Sequence, residues 1–284
     1  MTTALRRLAA AVLCAAMLLP LAACGTSRAP QSAGESAEMT VYFFDAGKAD
    51  AILLTSGEAA VLVDCGEKSF GGTILRKLAE LGIEKLDALI ITHFDKDHVG
   101  GAAKVLGGIA VDRVLQNDRR AEGSEAEKYR RALGKAGIEP LTVTESVDLV
   151  FGGMTITVDA PRQSRYGSDD SNNASLIVSV SDGTHTVLLP GDAESERIAE
   201  FLASSSAACD VLKLPHHGRM SAGTEALLRA ASPAYAVITS SDKEPEDAYL
   251  PELLESLGLQ VFLTRTAPVT VRCSGGSLEV FYAS

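Results

Sequence analysis

From residue 39 onward the chain alternates short apolar runs with polar breaks. "MTVYFF", "AILLTS" and "AAVLVD" are separated by "DAGKAD" and "SGE", which predicts three short strands of an antiparallel sheet. "GGTILRKLAELGI" carries apolar residues at helical spacing and closes on Gly82, so it predicts a helix; "LDALIIT" has almost no polar face and predicts a strand buried on both sides. Strand and helix alternate again through "AAKVLGG", "VDRVLQ" and "EAEKYRRALGKAGI". A second strand group follows in "MTITVDA", "ASLIVSVS" and "HTVLLP", the last two joined by the hairpin signal Asp182-Gly183. Helices at "ESERIAEFLASS" and "TEALLRAA" then alternate with strands at "DVLKLP" and "YAVITS", before a terminal pair, "VTVRCS" and "SLEVFYA". Two strand-rich halves, each with helices, predict two sheets face to face with helices outside, an α+β arrangement.

The start of the chain follows a different pattern. "MTTALRRLAAAVLCAAMLLPLAACG" has a basic beginning at Arg6 and Arg7, an apolar stretch and then small residues, the layout of a secretory leader over 1–23. Its ending, "LAAC", resembles a bacterial lipobox, in which Cys24 is lipidated and becomes the first residue of the mature protein. An ordinary signal peptide and an uncleaved anchor helix are the alternatives. Residues 24–38, poor in large apolar side chains, predict a flexible tether, and 39–284 the folded domain. The expected location is extracytoplasmic, lipid-anchored at the cell membrane.

Charge narrows the partners. A formal net charge of −11 excludes a protein that grips nucleic acid with its whole surface, though not a local site where metal ions supply positive charge. Past the leader and Cys24, three widely spaced cysteines, Cys65, Cys209 and Cys273, form neither a disulfide framework nor a zinc knuckle, and they read as buried free thiols.

The candidate chemistry sits at strand ends. "THFDKDHVGG" places His93 and Asp95 at the carboxyl end of the buried strand, where alternate residues point the same way, with Asp97 and His98 just beyond. Taken alone this is either a metal site or a polar strand-to-helix turn. "LKLPHHG" puts His216 and His217 after another apolar strand. Asp192 in "LLPGDAESE" suits a bridging ligand or the cap of the following helix. Asp64 in "VLVDCG" suits a turn or a group that orients a ligand. His185 stands apart in a hairpin strand, reads as a surface or edge residue and is assigned no role.

Asp64 in "VDCG", "HFDKDHVGG", "PGDAE" and "LKLPHHG", in this order, resemble the metal-binding motifs of the metallo-β-lactamase superfamily. "FFDAGKADAILL" and "SDDSNNASLIVSV" are further similar to the hydrolase domain of the competence protein ComEC and its free-standing relatives. The resemblance covers about Met39 to Ser284 and implies an αββα sandwich with a dinuclear centre in the cleft along one edge of the two sheets. It implies His93 and Asp95 at one ion, Asp97 and His98 at the other, Asp192 bridging them and His216 completing the second. His217 is able to exchange roles with His216. Where many superfamily members carry a further histidine this chain has Asp169, Asp170, Asn172 and Asn173; Asn172, or water, takes that place. Lys48 and Ala49 stand where the ComEC-like motif has Gln and Gly, and Arg219 where a small serine is typical.

Two divalent ions, Mn²⁺ or Zn²⁺, are thus the expected cofactors, since a close pair of such ions activates water and stabilises charge on the attacked group. Asp97 and His98 are the expected catalytic residues. Asp95 and Asn172, oxygen donors where histidine is common, harden the first site and shift preference toward Mn²⁺. The expected function is a cell-surface phosphodiesterase or DNA nuclease linked to DNA uptake or processing, with DNA or a small phosphodiester as substrate and the membrane as partner through the lipid anchor. The alternatives are a hydrolase of small esters, lactones or phosphodiesters, and a non-catalytic surface binding module.

Overall fold

The computed structural model describes residues 38–120, 122–167 and 170–283. The leader, Cys24, the tether through residue 37 and Asp169 lie outside the described residues.

Two sheets form. In the first, the strands Ser277–Tyr282, Val269–Ser274, Met39–Phe43, Ile52–Ser56 and Ala59–Val63 pair antiparallel, and Ala88–Ile91, Val114–Gln116 and Leu141–Thr142 extend the sheet in parallel from Ala59–Val63. In the second, Val147–Phe151, Met154–Asp159, Ile177–Ser181 and Thr186–Leu189 are antiparallel. Val211–Lys213, Tyr235–Ile238 and Gln260–Leu263 follow in parallel.

Alternation along each strand explains the layers. Val41, Leu54, Val61 and Ile90 of the first sheet share one buried core with Ile156, Val178, Val187 and Val211 of the second. The opposite faces carry Leu53, Leu62 and Leu89, which join Ile74 and Leu78 of the helix Gly71–Glu80, and Leu188 and Leu212, which join Ile198, Phe201 and Leu227. Each such aliphatic side chain contributes about 1.5–3 kcal/mol when fully buried. The result is the αββα sandwich that the sequence predicts. Among strands of four residues or more, two escape the hydropathy pattern, Val147–Phe151 and Gln260–Leu263. Both lie at an edge of the second sheet, and Val150 is 71% exposed, so little burial constrains their composition.

The strands Ala59–Val63, Ala88–Ile91, Thr186–Leu189 and Val211–Lys213 send their carboxyl ends to one edge of the sandwich, where Asp64, His93, Asp192 and the His216–His217 pair follow them. Gly100 and Gly101 make this edge tight. A Cβ on Gly101 would lie 2.2 Å from the Cys65 carbonyl oxygen, and one on Gly100 2.6 Å from the Lys68 nitrogen. Their absence lets the loop after Asp64 cross the 96–99 helix directly, with Cys65 N–H donating to the His98 carbonyl at 2.8 Å. Among the described residues no helix is long and apolar enough to cross a membrane.

Candidate metal centre

Each histidine of the cleft is held from behind. Asp64, at a left-handed φ of 58°, accepts from Thr92 N–H at 2.9 Å and Thr92 Oγ1 at 2.6 Å, and its Oδ2 accepts from His98 Nδ1–H at 2.8 Å. His93 Nδ1 lies 3.1 Å from Thr92 Oγ1. His217 Nδ1 lies 3.0 Å from Thr239 Oγ1, which itself donates to Asp50 Oδ1 at 2.7 Å. With Nδ1–H engaged outward, the lone pair of each ring falls on Nε2, facing the cleft. Asp64 therefore fixes the orientation of the His98 ring.

The inward atoms have no such partners. His93 Nε2, His98 Nε2, His217 Nε2 and Asp192 Oδ1 are buried and make no hydrogen bond. They nonetheless converge: His98 Nε2 is 3.3 Å from Asp192 Oδ1, and His217 Nε2 is 3.2 Å from Asp192 Oδ2 and 3.6 Å from Asp97 Oδ2. Orphaned buried acceptors cost about 1–3 kcal/mol apiece, so a cluster of them calls for a common occupant. His93, His98 and Asp192 bring donor atoms within 4.8 Å of one another, as do Asp97, His98 and His217. Nitrogen and carboxylate donors at these separations fit divalent cations.

Of the two neighbouring histidines, the structure brings His217, and not the expected His216, together with Asp97 and His98. Both residues sit at left-handed φ, 48° and 56°, on the short turn Pro215–Gly218, so successive side chains diverge and no strand periodicity applies. The His217 side chain is 1% exposed and faces Asp97 and Asp192. His216, 20% exposed, places Nδ1 3.1 Å from Glu194 Oε1 and reaches no nearer than 3.9 Å to Asp192. Asn172 is buried, with its amide nitrogen 3.4 Å from the same Glu194 oxygen. Asp95 lies at the mouth: Ser171 Oγ donates to its Oδ1, and its Oδ2 is 3.9 Å from His93 Nε2. Asp192 is 2% exposed and does not cap the helix Ser195–Ser204, which starts without a side-chain cap. Lys48, the departure noted in the sequence, points into the cleft with Nζ 3.4 Å from Asp97 Oδ2, whereas Arg219 is exposed.

Sequence reasoning missed the ion pair beneath the site. Lys213 Nζ lies 2.5 Å from Asp50 Oδ2 and 3.5 Å from Asp192 Oδ1, and it donates to the Gly191 carbonyl at 3.1 Å, all fully buried. The available signal was a lysine inside the apolar run "VLKLP".

Electrostatics follow from this packing. Burial opposes charge on His217, but the Asp192 and Asp50 carboxylates outweigh it and push the ring up to about 9. Burial likewise opposes charge on His98, and Asp192 and Asp64 overcome it, raising its pKa well above the usual imidazole range. His93 is lowered by burial and by His98. A raised folded-state pKa stabilises the metal-free protein fully below the ordinary value of 6.5, and that stability is lost as pH rises through about 9. Metal-free protein should therefore lose thermal stability steadily over this window, while its apparent metal affinity climbs because fewer protons compete for Nε2. Melts of chelator-treated protein and Mn²⁺ titrations at stepped pH check both trends; a melting temperature that rises with pH here would contradict the assignment.

A family model described as the metallo-beta-lactamase superfamily matches residues 45–240. The chain is 30% identical over 206 residues to Recombination protein 2 of Haemophilus influenzae and 29% identical over 224 residues to ComE operon protein 3 of Bacillus subtilis. These matches cover 71% and 72% of this chain but 24% and 29% of the relatives, so it spans roughly a quarter of their length. The metallo-beta-lactamase fold protein YhfI from Bacillus subtilis superimposes with a TM-score of 0.56 at 16% identity, covering 86% of this chain and all of that one, a likeness of fold.

Proposed function

This chain belongs to the metallo-beta-lactamase superfamily, and from that premise we propose that it is a metal-dependent phosphodiesterase acting on DNA or a related phosphodiester. The observation that carries the reading is the set of buried, hydrogen-bond-free Nε2 atoms converging on Asp192. His98, His217, Asp97 and Asp192 would hold one ion, and His93, Asp192 and Asp95 the other. Such a pair supplies activation of water and positive charge for the phosphoryl oxygens. The chain's own residues do the rest. Asp64, Thr92 and Thr239 fix the imidazole orientations, and Lys48 holds a cation at the cleft mouth.

Phosphodiesters are favoured over neutral esters by the adjoining surface. A cavity of about 560 Å³ opens beside Asp95 and carries Arg119, Arg120 and Arg165, opposed there by Glu122 and Asp170. In an acidic chain, three arginines at the site's mouth suit the phosphates that flank a scissile one. The names of the relatives, Recombination protein 2 and Competence protein ComA of Neisseria gonorrhoeae among them, support DNA as the polymer.

The test is stripped protein reloaded with Mn²⁺ or Zn²⁺ and offered single-stranded DNA, duplex DNA, bis(p-nitrophenyl) phosphate, a lactone and a simple ester. Phosphodiesters should turn over, faster with Mn²⁺. The double variant Arg119→Ala/Arg165→Ala should raise KM for DNA and flatten its salt dependence without changing KM for the small diester. Preferred turnover of the lactone or ester would defeat the reading.

The location we propose is the outer side of the cytoplasmic membrane, through lipid on Cys24, supported by "LAAC" and the polar stretch after it. Several acyl chains anchor far more firmly than one. Cys24→Ser should move the protein from the membrane fraction to the soluble one and abolish lipid labelling.

A further inference from the structure

A second group of ligating side chains lies at the opposite end of the strand Thr186–Leu189, which runs from His185 toward Asp192. At about 3.3 Å per residue the seven steps from His185 to Asp192 span at most about 23 Å. There the turn joining Ile177–Ser181 to Thr186–Leu189 in the second sheet meets Val269–Ser274 in the first. Asp182 and His185 come from the turn and Cys273 from the strand, and each brings one donor atom within 4.8 Å of the others.

The turn holds the carboxylate in place. Asp182 Oδ1 accepts from Thr184 N–H at 2.8 Å and His185 N–H at 2.7 Å, which turns Oδ2 toward the imidazole. Oδ2 and His185 Nδ1 are 3.5 Å apart, long for a hydrogen bond, yet close to the roughly 3.3 Å between two ligands on one tetrahedral ion with bonds of about 2.0 Å. Cys273 is 1% exposed and forms no disulfide, and the His185 and Asp182 side chains are 13% and 7% exposed, so the cluster is enclosed yet reachable from the rim.

We propose that Asp182, His185 and Cys273 form a third metal site, selective for Zn²⁺, with water as the fourth ligand. Thiolate with imidazole selects a softer ion than the oxygen-rich centre in the cleft, so the two sites divide their metals by donor chemistry. Cys273 gives its thiol proton to solvent as the sulfur–metal bond forms, leaving charge balanced between one cation and two anionic ligands. Without metal, burial and the nearby Asp182 and Asp210 push this thiol up to about 12, which a cation at the cluster would reverse. Bound there, the ion pins the turn of one sheet to a strand of the other.

Co²⁺ tests this cleanly, because no residue of the cleft centre donates sulfur. Chelator-stripped full-length protein titrated with Co²⁺ should develop a sulfur-to-cobalt charge-transfer band in the near ultraviolet, displaced by Zn²⁺. Cys273→Ser should lose the band. His185→Gln and Asp182→Asn, which leave the buried thiol in place, should weaken Co²⁺ binding at this site roughly tenfold or more, since even partners of ligands cost 10–100-fold. His185→Gln should hydrolyse bis(p-nitrophenyl) phosphate like wild type. Absence of the band in wild type at excess Co²⁺ would overturn the site. So would its survival in Cys273→Ser, which would assign it to another cysteine of the chain.

Discussion

Asp97→Asn should lower turnover of bis(p-nitrophenyl) phosphate on the order of 10³-fold, about 4 kcal/mol of transition-state stabilisation, while the protein melts within a few degrees of wild type. The separation of the two effects follows from where Asp97 sits. Its side chain is on the short helix Lys96–Val99 and reaches across the cleft to His217 Nε2 and Lys48 Nζ, and it belongs to none of the apolar clusters that hold the sheets. Asparagine keeps the shape and removes the anionic oxygen that, with His98 and His217, defines one ion position. The direction of the Asp97 pKa agrees: burial pushes it up, but His217 and His98 prevail and hold the carboxyl well below the usual range, so it is anionic at any working pH. Turnover within tenfold of wild type would remove Asp97 from the ligand set.

Lys213→Met should cost the metal-free protein about 3–5 kcal/mol, because it strands the buried Asp50 carboxylate. Lys213 and Asp50 are both at most 1% exposed and 2.5 Å apart, and the lysine stays charged because Asp50 and Asp192 overcome the penalty of burial. Methionine matches the volume of the lysine stem, so the loss reads out charge rather than a cavity. The double variant Lys213→Met/Asp50→Asn should recover most of it, since an asparagine oxygen still accepts from Thr239 Oγ1 and the remaining carboxylate, Asp192, keeps His98 and His217 beside it. Urea melts of the four proteins close the cycle. A double variant no more stable than Lys213→Met would show that a stranded Asp50 charge is not the cause of the loss.

The sequence reveals much of this arrangement, for reasons particular residues make plain. His93, Asp97, His98 and Asp192 are legible because each follows an apolar strand whose carboxyl end must emerge at the sheet edge. The core is legible because Val41, Leu54 and Val61 alternate with outward residues. The choice between His216 and His217 is not, since two neighbours on a left-handed turn obey neither period 2 nor 3.6. Nor is the Asp50–Lys213 pair, whose members are distant in the chain and join only when the two sheets pack. The edge strand Val147–Phe151 stays hidden because only one of its five residues is fully buried. His185 looked like a bare edge residue because Cys273, its neighbour in space, belongs to the other sheet.

The central claim is that Asp192 lies between two cation positions, one built on His93 and one on Asp97, His98 and His217. Electron paramagnetic resonance of stripped protein reloaded with two equivalents of Mn²⁺ tests this most directly, because two ions sharing a carboxylate couple magnetically and isolated ions do not. The account predicts the multiplet of an exchange-coupled pair, lost in Asp192→Ala. A spectrum of isolated Mn²⁺ alone at full loading would contradict it.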